Sequence, residues 1–264
     1  MHASIFRRTF TVLTFVLIAF SLQAQTTTTA KIKRRPNIPG SIILDLGFNG
    51  TQDSPSLWRQ SLFATKTVNI YYQYPLRFGR SKFSFNPGIG FSFERYRWKF
   101  SQILVNPKES GSEQIERYEF ASAYTKYGTG SNQKVTLGAN YLDIPIEFRF
   151  DSKPEDISRS FNIAFGARGG WMFDSFQKVK YKEDGQTKKV KDKQDWGLTQ
   201  LRYGVYTRIG IGGFNFFTFY NLSPLFQSGK GPSVEGAVVN GNPSPKGDPT
   251  IMTTFTMGIS LNGF

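Results

Sequence analysis

Cysteine is absent from the 264 residues of this chain, and its single histidine is His2. Without cysteine the protein has no disulfide framework, no thiolate metal ligand and no thiol for a lipid anchor. Without a histidine beyond the first residues, a Ser-His-Asp hydrolase lacks its general base, and imidazole metal sites are excluded. Carboxylate chemistry of the glycosidase type stays open. These absences predict a protein that is not an enzyme and needs no cofactor.

Long apolar runs are scarce as well. The run at 10–20 follows Arg7 and Arg8 and precedes a small-residue cleavage site at 21–24. It is shorter than the roughly 20 residues that a helix needs to cross a bilayer core about 30 Å thick. The pattern predicts a secretory signal peptide at 1–24. The polar, basic and proline-bearing stretch at 25–40 predicts an N-terminal periplasmic arm.

Acidic residues are few, since 19 Asp and Glu against 33 Lys and Arg give a formal net charge of +14. A basic exported protein is suited to anionic lipid head groups or an acidic partner. Nucleic acid is excluded as a partner outside the cytoplasm. Aromatic residues make up 16% of the chain and glycines number 26, which is a high content for a globular protein. This composition is typical of many strands joined by turns.

The stretch at 140–150 alternates strictly between apolar and polar residues. Leu142, Ile144 and Ile146 lie on one parity, whereas Asp143 and Glu147 lie on the other. A period of two predicts a strand. The same rhythm recurs along the chain and predicts eight strands, near 41–49, 65–76, 83–99, 134–150, 161–179, 198–209, 214–226 and 250–262.

The connections between these strands alternate in length, so that long and short loops lie at opposite ends. A transmembrane barrel has short periplasmic turns, longer extracellular loops and an even number of antiparallel strands. A β-sandwich has no reason to sort its loops by length. The sequence therefore predicts an all-β fold over 41–264: an eight-stranded antiparallel transmembrane β-barrel in the outer membrane, with both termini in the periplasm.

Two segments carry a family resemblance: Tyr-Leu-Asp-Ile-Pro-Ile-Glu at 141–147 and Phe-Asn-Pro-Gly-Ile-Gly-Phe at 85–91. With the strand rhythm and the C-terminal Phe264, they resemble the outer-membrane β-barrel family that includes the PorT-like proteins. The resemblance spans residues 38–264. It implies an eight-stranded barrel in the outer membrane of a Gram-negative cell. For function, it implies a role in an envelope complex of protein secretion or surface assembly.

Charged residues on the inward parity are the first candidate site. The acidic members are Asp45, Glu94, Asp143, Glu147 and Asp174, and the basic members are Arg149, Arg168, Arg202 and Arg208. An eight-stranded barrel has room inside only for side chains, and buried charges must be paired. We predict an interior salt-bridge network, with a narrow ion path or a catalytic carboxylate pair as alternatives. Pairing Asp151 with Ser160 across the turn predicts that Asp143 faces Arg168, with Arg202 as a third member.

The loops are the second candidate site. Leu57, Trp58 and Phe63 follow Ser54 and Pro55, a pattern that indicates a short helix. Its apolar side would either lie on the barrel rim or form a docking surface for another protein. A later loop is rich in lysine and includes Lys188, Lys189 and Lys191, which could contact lipopolysaccharide phosphates or an acidic partner. A further set is predicted to form aromatic girdles at the membrane interfaces: Trp98, Trp171, Tyr72, Tyr74, Tyr203 and Tyr220.

These features favour a non-enzymatic, structural or accessory subunit of an envelope complex that presents its extracellular loops to partners. A small outer-membrane transport protein or porin is the alternative. The expected partners are outer-membrane lipids, lipopolysaccharide included, and other outer-membrane proteins.

Overall fold

The computed structural model describes residues 40–52, 54, 58, 60–61, 64–98, 101–106, 118–127, 134–183, 185–232, 238–239, 242–243 and 252–263. The predicted signal peptide, almost all of the predicted arm, and Leu57, Phe63 and Phe264 lie outside these ranges. Within the described ranges, no helix has the length and apolarity that crossing a membrane requires.

Eight long strands dominate the described chain. They are β1 (Ser41–Gln52), β2 (Lys66–Gln73), β4 (Phe83–Arg97), β7 (Lys134–Asp151), β8 (Phe161–Glu183), β10 (Leu201–Ile211), β11 (Phe214–Asn221) and β14 (Thr253–Asn262). Each pairs antiparallel with its neighbours in the order β1, β2, β4, β7, β8, β10, β11, β14. The last strand returns to the first, where Ile43 lies opposite Asn262. The predicted closed eight-stranded antiparallel barrel is confirmed.

Shorter elements decorate this barrel. They are β3 (Leu76–Arg77), β5 (Gln102–Val105), β6 (Glu119–Ser122), α1 (Ala123–Tyr127), a 3-10 turn (Ile157–Arg159), β9 (Gln186–Asp192), β12 (Val238–Val239) and β13 (Asn242–Pro243). Strands β5 and β6 form a hairpin. Strand β9 pairs with the last residues of β8, so this hairpin extends beyond the barrel wall.

The connections sort by length between the two ends, as predicted. The connections 74–82, 152–160 and 212–213 lie at one end, together with the start of β1 and the end of β14. We call this the turn end, and the other the loop end. In the tightest turn, Gly212 has φ +59°, and a Cβ on Gly213 would lie 2.3 Å from the carbonyl oxygen of Asn262. Glycine is thus the residue that fits both positions.

The outward face of the turn-end half is an apolar belt. Its side chains are largely exposed, as the 59% exposure of Phe148 illustrates. They come from every strand of the barrel and include Ile42, Ile70, Phe91, Ile144, Phe148, Phe165, Leu201, Phe216 and Met257. A continuous apolar surface of this extent is typical of a wall that contacts lipid.

The loop-end half has the reverse pattern. In β7 the inward residues Val135 and Leu137 are fully buried, whereas the outward residues Lys134 and Thr136 are polar. Toward the turn end of the same strand, the inward residues are charged and the outward ones apolar. The side of the wall that is apolar therefore changes along the strand, although the direction of each side chain still alternates.

The inward apolar residues join the loops in a buried cluster, which we call the loop-end core. It contains Trp58, Tyr96, Trp98, Ile103, Leu104, Tyr118, Ala123, Val135, Leu137, Ala139, Tyr141, Met172, Val179, Trp196, Leu198, Leu225, Phe226 and Met252. The rings of Trp58 and Trp98 meet edge to face at 5.3 Å. The barrel is thus filled with apolar side chains at its loop end, as a soluble β-domain would be.

A bulge in β8 corrects one prediction. Tyr141 lies opposite Met172, but Asn140 lies opposite Asp174, which leaves Phe173 as the extra residue. A bulge adds one residue to one strand, so the side chains beyond Phe173 change face. Asp174, predicted to point inward, instead lies on the outer wall, where Lys193 Nζ is 2.9 Å from its carboxylate.

Candidate functional site

Arg202 crosses the lumen nearest the loop-end core. Its strand, β10, neighbours β8 and β11, yet its guanidinium reaches Asp143 on β7 and Glu94 on β4. Nη2 donates to both oxygens of Asp143, at 3.1 and 2.9 Å, while Nη1 forms an ion pair with Glu94. All three side chains are buried. One arginine therefore ties three strands of the barrel together.

The Asp143 carboxylate is fully engaged. Besides Arg202, it accepts hydrogen bonds from Tyr71 Oη at 3.0 Å and from the Ser92 hydroxyl. Arg168 Nε lies 3.5 Å from the same carboxylate, and Arg168 also donates to the Tyr71 hydroxyl. We call Glu94, Asp143, Arg168 and Arg202 the Arg202 layer. Its two acids and two arginines balance.

Arg208 crosses the lumen nearer the turn end. Its Nη2 lies 2.9 Å from Asp45 on β1, and its Nη1 forms an ion pair with Glu147 on β7. Arg149 Nε lies 3.7 Å from Glu147, which also accepts a hydrogen bond from Asn86 at 3.4 Å. We call Asp45, Glu147, Arg149 and Arg208 the Arg208 layer. It too carries two charges of each sign.

The structure thus brings together the acidic and basic residues that the inward parity singled out, except Asp174, in two layers instead of one network. The predicted pairing of Asp143 with Arg168 is wrong in register. Gly170 lies opposite Asp143, and Arg168 lies opposite Pro145. A Cβ on Gly170 would lie 2.1 Å from Asp143 Oδ1, so this glycine makes room for the carboxylate. The long arginine side chain brings Arg168 to Asp143 diagonally.

Sequence reasoning missed two neutral residues, Tyr71 and Tyr96, that form hydrogen bonds with the acids of the Arg202 layer. Tyr71 is buried and contacts Asp143, Ser92 and Arg168. Tyr96 donates to Glu94 at 2.6 Å. A signal for Tyr71 exists, because it stands on the inward parity between Asn69 and Gln73, opposite to the apolar row that contains Ile70.

The structure buries one of the loop candidates and exposes the others. Trp58 is only 2% exposed and lies in the loop-end core, so the prediction that it forms a docking surface is wrong: its ring packs inside the protein. Lys188, Lys189 and Lys191 lie in β9 and are exposed. Lys188 pairs with Glu183 across the hairpin.

The predicted girdle aromatics divide in the same way. Trp98 is buried in the loop-end core, because it follows the point at which the inward face of β4 becomes apolar. The others are exposed on the outer wall: Tyr72, Tyr74, Trp171, Tyr203 and Tyr220. Among the residues that the structure describes, no group of three or more acidic or histidine side chains could hold a metal ion.

Comparison with known proteins identifies a family that this chain matches. The family model described as "Outer membrane protein beta-barrel domain" matches residues 23–227. Among solved structures, the attachment invasion locus protein Ail of Yersinia pestis is similar at 14% identity and TM-score 0.33, over 85% of this chain and 99% of that one. Neisserial surface protein A is similar at 9% identity and TM-score 0.34, over 86% and 97%. No curated protein matches the chain.

Proposed function

This chain belongs to the outer-membrane protein β-barrel domain family, as an integral outer-membrane barrel, and we propose that it is a sealed, non-enzymatic anchor that presents its loop end to an envelope complex. In this role it is a structural or accessory subunit of protein secretion or surface assembly. Its loop end faces the outside, and its turn end, where β1 begins and β14 ends, faces the periplasm, as short periplasmic turns and long outer loops are the rule for such barrels.

The observation that carries the proposal is the filled lumen. An ion that entered from the turn end would meet the Arg208 layer, then the Arg202 layer, then the loop-end core. Arg202 and Arg208 reach across the lumen to strands that are not their neighbours. Opening a path would separate buried ion pairs, which costs several kcal/mol for each charge left without its partner. A filled interior favours an anchor over a pore.

The state of the carboxylates favours a non-enzymatic role. Asp143 and Glu147 are fully buried, and each is held by arginine and by a neutral donor. A general base needs access to a substrate proton within hydrogen-bond reach. Buried, paired carboxylates in a filled barrel offer no such access.

The loop-end core favours a role in presentation. It collects side chains from all four loop-end connections, such as Trp58, Leu104, Trp196 and Met252. Loops that share a packed core hold their exposed residues in fixed positions, and such a platform loses less entropy when a partner binds.

Single-channel recording in planar bilayers tests the sealed lumen. We expect no stable conductance from the refolded protein. The matched variants are Arg202→Ala and Arg208→Ala. Each removes one lumen crossing but leaves the other layer and the loop-end core in place, so neither should conduct. A stable, large conductance of the unaltered protein would overturn the proposal and favour the porin alternative.

Purification in mild detergent tests the complex. We expect the chain to co-migrate with other envelope proteins in constant stoichiometry. A variant in which residues 181–188 are replaced by a two-residue turn that joins Lys180 to Lys189 should keep the barrel and lose these partners. Elution of the native protein as a lone monomer, in every mild detergent tried, would contradict an accessory role.

A further inference from the structure

Basic side chains gather on the outer wall of the barrel, beyond the belt on the loop-end side. They come from β4, β7, β8 and β9, and we call them the basic face: Arg95, Arg97, Lys134, Lys178, Lys180, Lys189 and Lys191. Register brings them together, because Arg97 lies opposite Thr136, Thr136 opposite Lys178 and Lys178 opposite Lys191. Directly opposed residues point to the same side of a sheet.

The basic face places like charges next to each other. Lys180 lies opposite Lys134 on one side and opposite Lys189 on the other. Like charges directly opposite each other destabilise a sheet. The positive charges of Lys178 and Lys189 lower the pKa of Lys180 below its usual value. Among the described residues, no carboxylate lies within salt-bridge distance of the lysines of this face. Asp174 lies close enough to act on Arg95, but the seven basic residues outnumber it, so the wall holds a net positive potential.

A groove runs through the basic face and has a volume of about 250 Å³. Phe176 lies in its floor, over Gly138, where a Cβ would come within 2.5 Å of the ring. Arg95 and Lys191 stand over the same ring, at 4.9 and 3.9 Å from its centroid. Arg95 is fixed further by a 2.8 Å hydrogen bond to Asn140. Two cations are thus positioned around an apolar floor.

The position of the basic face indicates its ligand. On β4, Arg95 follows directly after the row of apolar outward residues that includes Phe91 and Phe93. On β8, Phe176 and Lys178 follow the exposed Phe173. Since a strand rises about 3.4 Å per residue, the basic face begins within one or two residues of the belt and faces sideways. Head groups of the surrounding lipids lie at this level.

We propose that the basic face is a binding site for the phosphorylated head groups of outer-leaflet glycolipids. Arg95 and Arg97 suit bidentate binding of phosphate, and the lysines act as point charges. The buried ring of Phe176 supports Arg95 and Lys191 from below. An acidic protein is a poorer fit, because it would have to approach the wall through the lipid layer. The proposal rests on the orientation given above and not on the sealed lumen or on any protein partner.

Native mass spectrometry of the refolded barrel in dodecyl maltoside tests the site, with diphosphoryl lipid A as the probe. The variant is Lys178→Gln with Lys191→Gln. The matched control, Lys126→Gln with Lys153→Gln, removes the same charge from α1 at the loop end and from the turn end, where both lysines are exposed. We expect the variant to weaken lipid A binding about tenfold or more, from the electrostatic attraction of two basic residues. We expect the control to bind as the unaltered protein does.

Further measurements distinguish phosphate carried by a lipid from free inorganic phosphate. Fully dephosphorylated lipid A should bind weakly to all three proteins, and millimolar inorganic phosphate should not displace diphosphoryl lipid A. Arg97→Gln, on a different strand, should also weaken binding, and heat-modifiable gel migration should show that each variant folds. Equal weakening in variant and control, equal binding of the dephosphorylated lipid, or displacement by inorganic phosphate would each overturn the proposal.

Discussion

Among the single residues of the lumen, Asp143 is the one whose substitution should destabilise the barrel most. Four side chains contact its carboxylate: Arg202, Arg168, Tyr71 and Ser92. We expect Asp143→Ala to destabilise the barrel by about 3–5 kcal/mol, since it leaves a buried arginine without its partner. The free energy of unfolding in urea, with phospholipid vesicles present, measures this.

Double-mutant cycles distinguish the two arginines. The coupling energy of Asp143 with Arg202 should exceed that with Arg168, because Arg202 donates to both carboxylate oxygens at 3.1 and 2.9 Å, whereas Arg168 Nε lies at 3.5 Å. Contacting residues couple by about 0.5–3 kcal/mol. Strict additivity in both cycles would contradict the geometry of the Arg202 layer.

Two adjacent glycines provide a second test of that layer. A Cβ on Gly170 would collide with Asp143 and Arg202, whereas a Cβ on Gly169 would meet nothing within 4 Å. We expect Gly170→Ala to cost about 1–3 kcal/mol by overpacking, and Gly169→Ala to be close to neutral. The same urea titration compares them, and equal losses would show that the glycine at 170 is not required for space.

Within a single strand, β7 illustrates how the apolar side of the wall changes. Leu137 is fully buried in the loop-end core, and its neighbour Thr136 lies on the outer wall. We expect Leu137→Ala to cost about 2–5 kcal/mol and Thr136→Ala to stay within about 0.5 kcal/mol. Urea unfolding again measures both. If the lumen were polar along its whole length, the loss at Leu137 would be small.

Alternation made the strands predictable, because a strand that lies between lipid and a polar interior must have a period of two. The same rule did not predict that the inward side of β7 becomes apolar toward the loop end. Val135 and Leu137 stand on the parity of Asp143, and reading the strand outward from the Asp143 segment kept that parity polar. A switch of the apolar parity between Tyr141 and Leu142 is the signal in the sequence.

The register between β7 and β8 could not be predicted. Ser152 donates its backbone N–H to Phe161, and the Ser160 hydroxyl accepts from the backbone of Lys153 at 3.0 Å. These local bonds set the pairing of Asp151 with Asn162. The bulge at Phe173 was equally hidden, because its exposed ring continues the apolar row. Which arginine on β8 meets which acid on β7 depends on both features, and the bulge also places Asp174 outside the lumen. The other charged members of the two layers were predictable from their parity.

For the molecule as a whole, orientation is the property to test. Thr187 lies in the β9 hairpin at the loop end, and Ser158 lies in the 3-10 turn at the turn end. Both are exposed. We expect a cysteine introduced at Thr187 to react with an impermeant maleimide on intact cells, and one at Ser158 to react only after the outer membrane is permeabilised. The absence of native cysteine makes each label specific. The reverse pattern would place the loop end in the periplasm.

The loop-end core also constrains the order in which the barrel assembles. Its contributors include Trp58, before β2, and Met252, immediately before the last strand. The core can therefore be complete only after the residue before β14 is in place. In the proposed orientation, every hairpin has crossed the bilayer by then. Pulling any hairpin back would then expose buried aromatic rings to water or drag the charged hairpin ends through lipid. Contacts that form after the rate-limiting step slow unfolding without speeding folding. We expect the core to act as a latch, which slows the extraction of the barrel and leaves its rate of insertion unchanged.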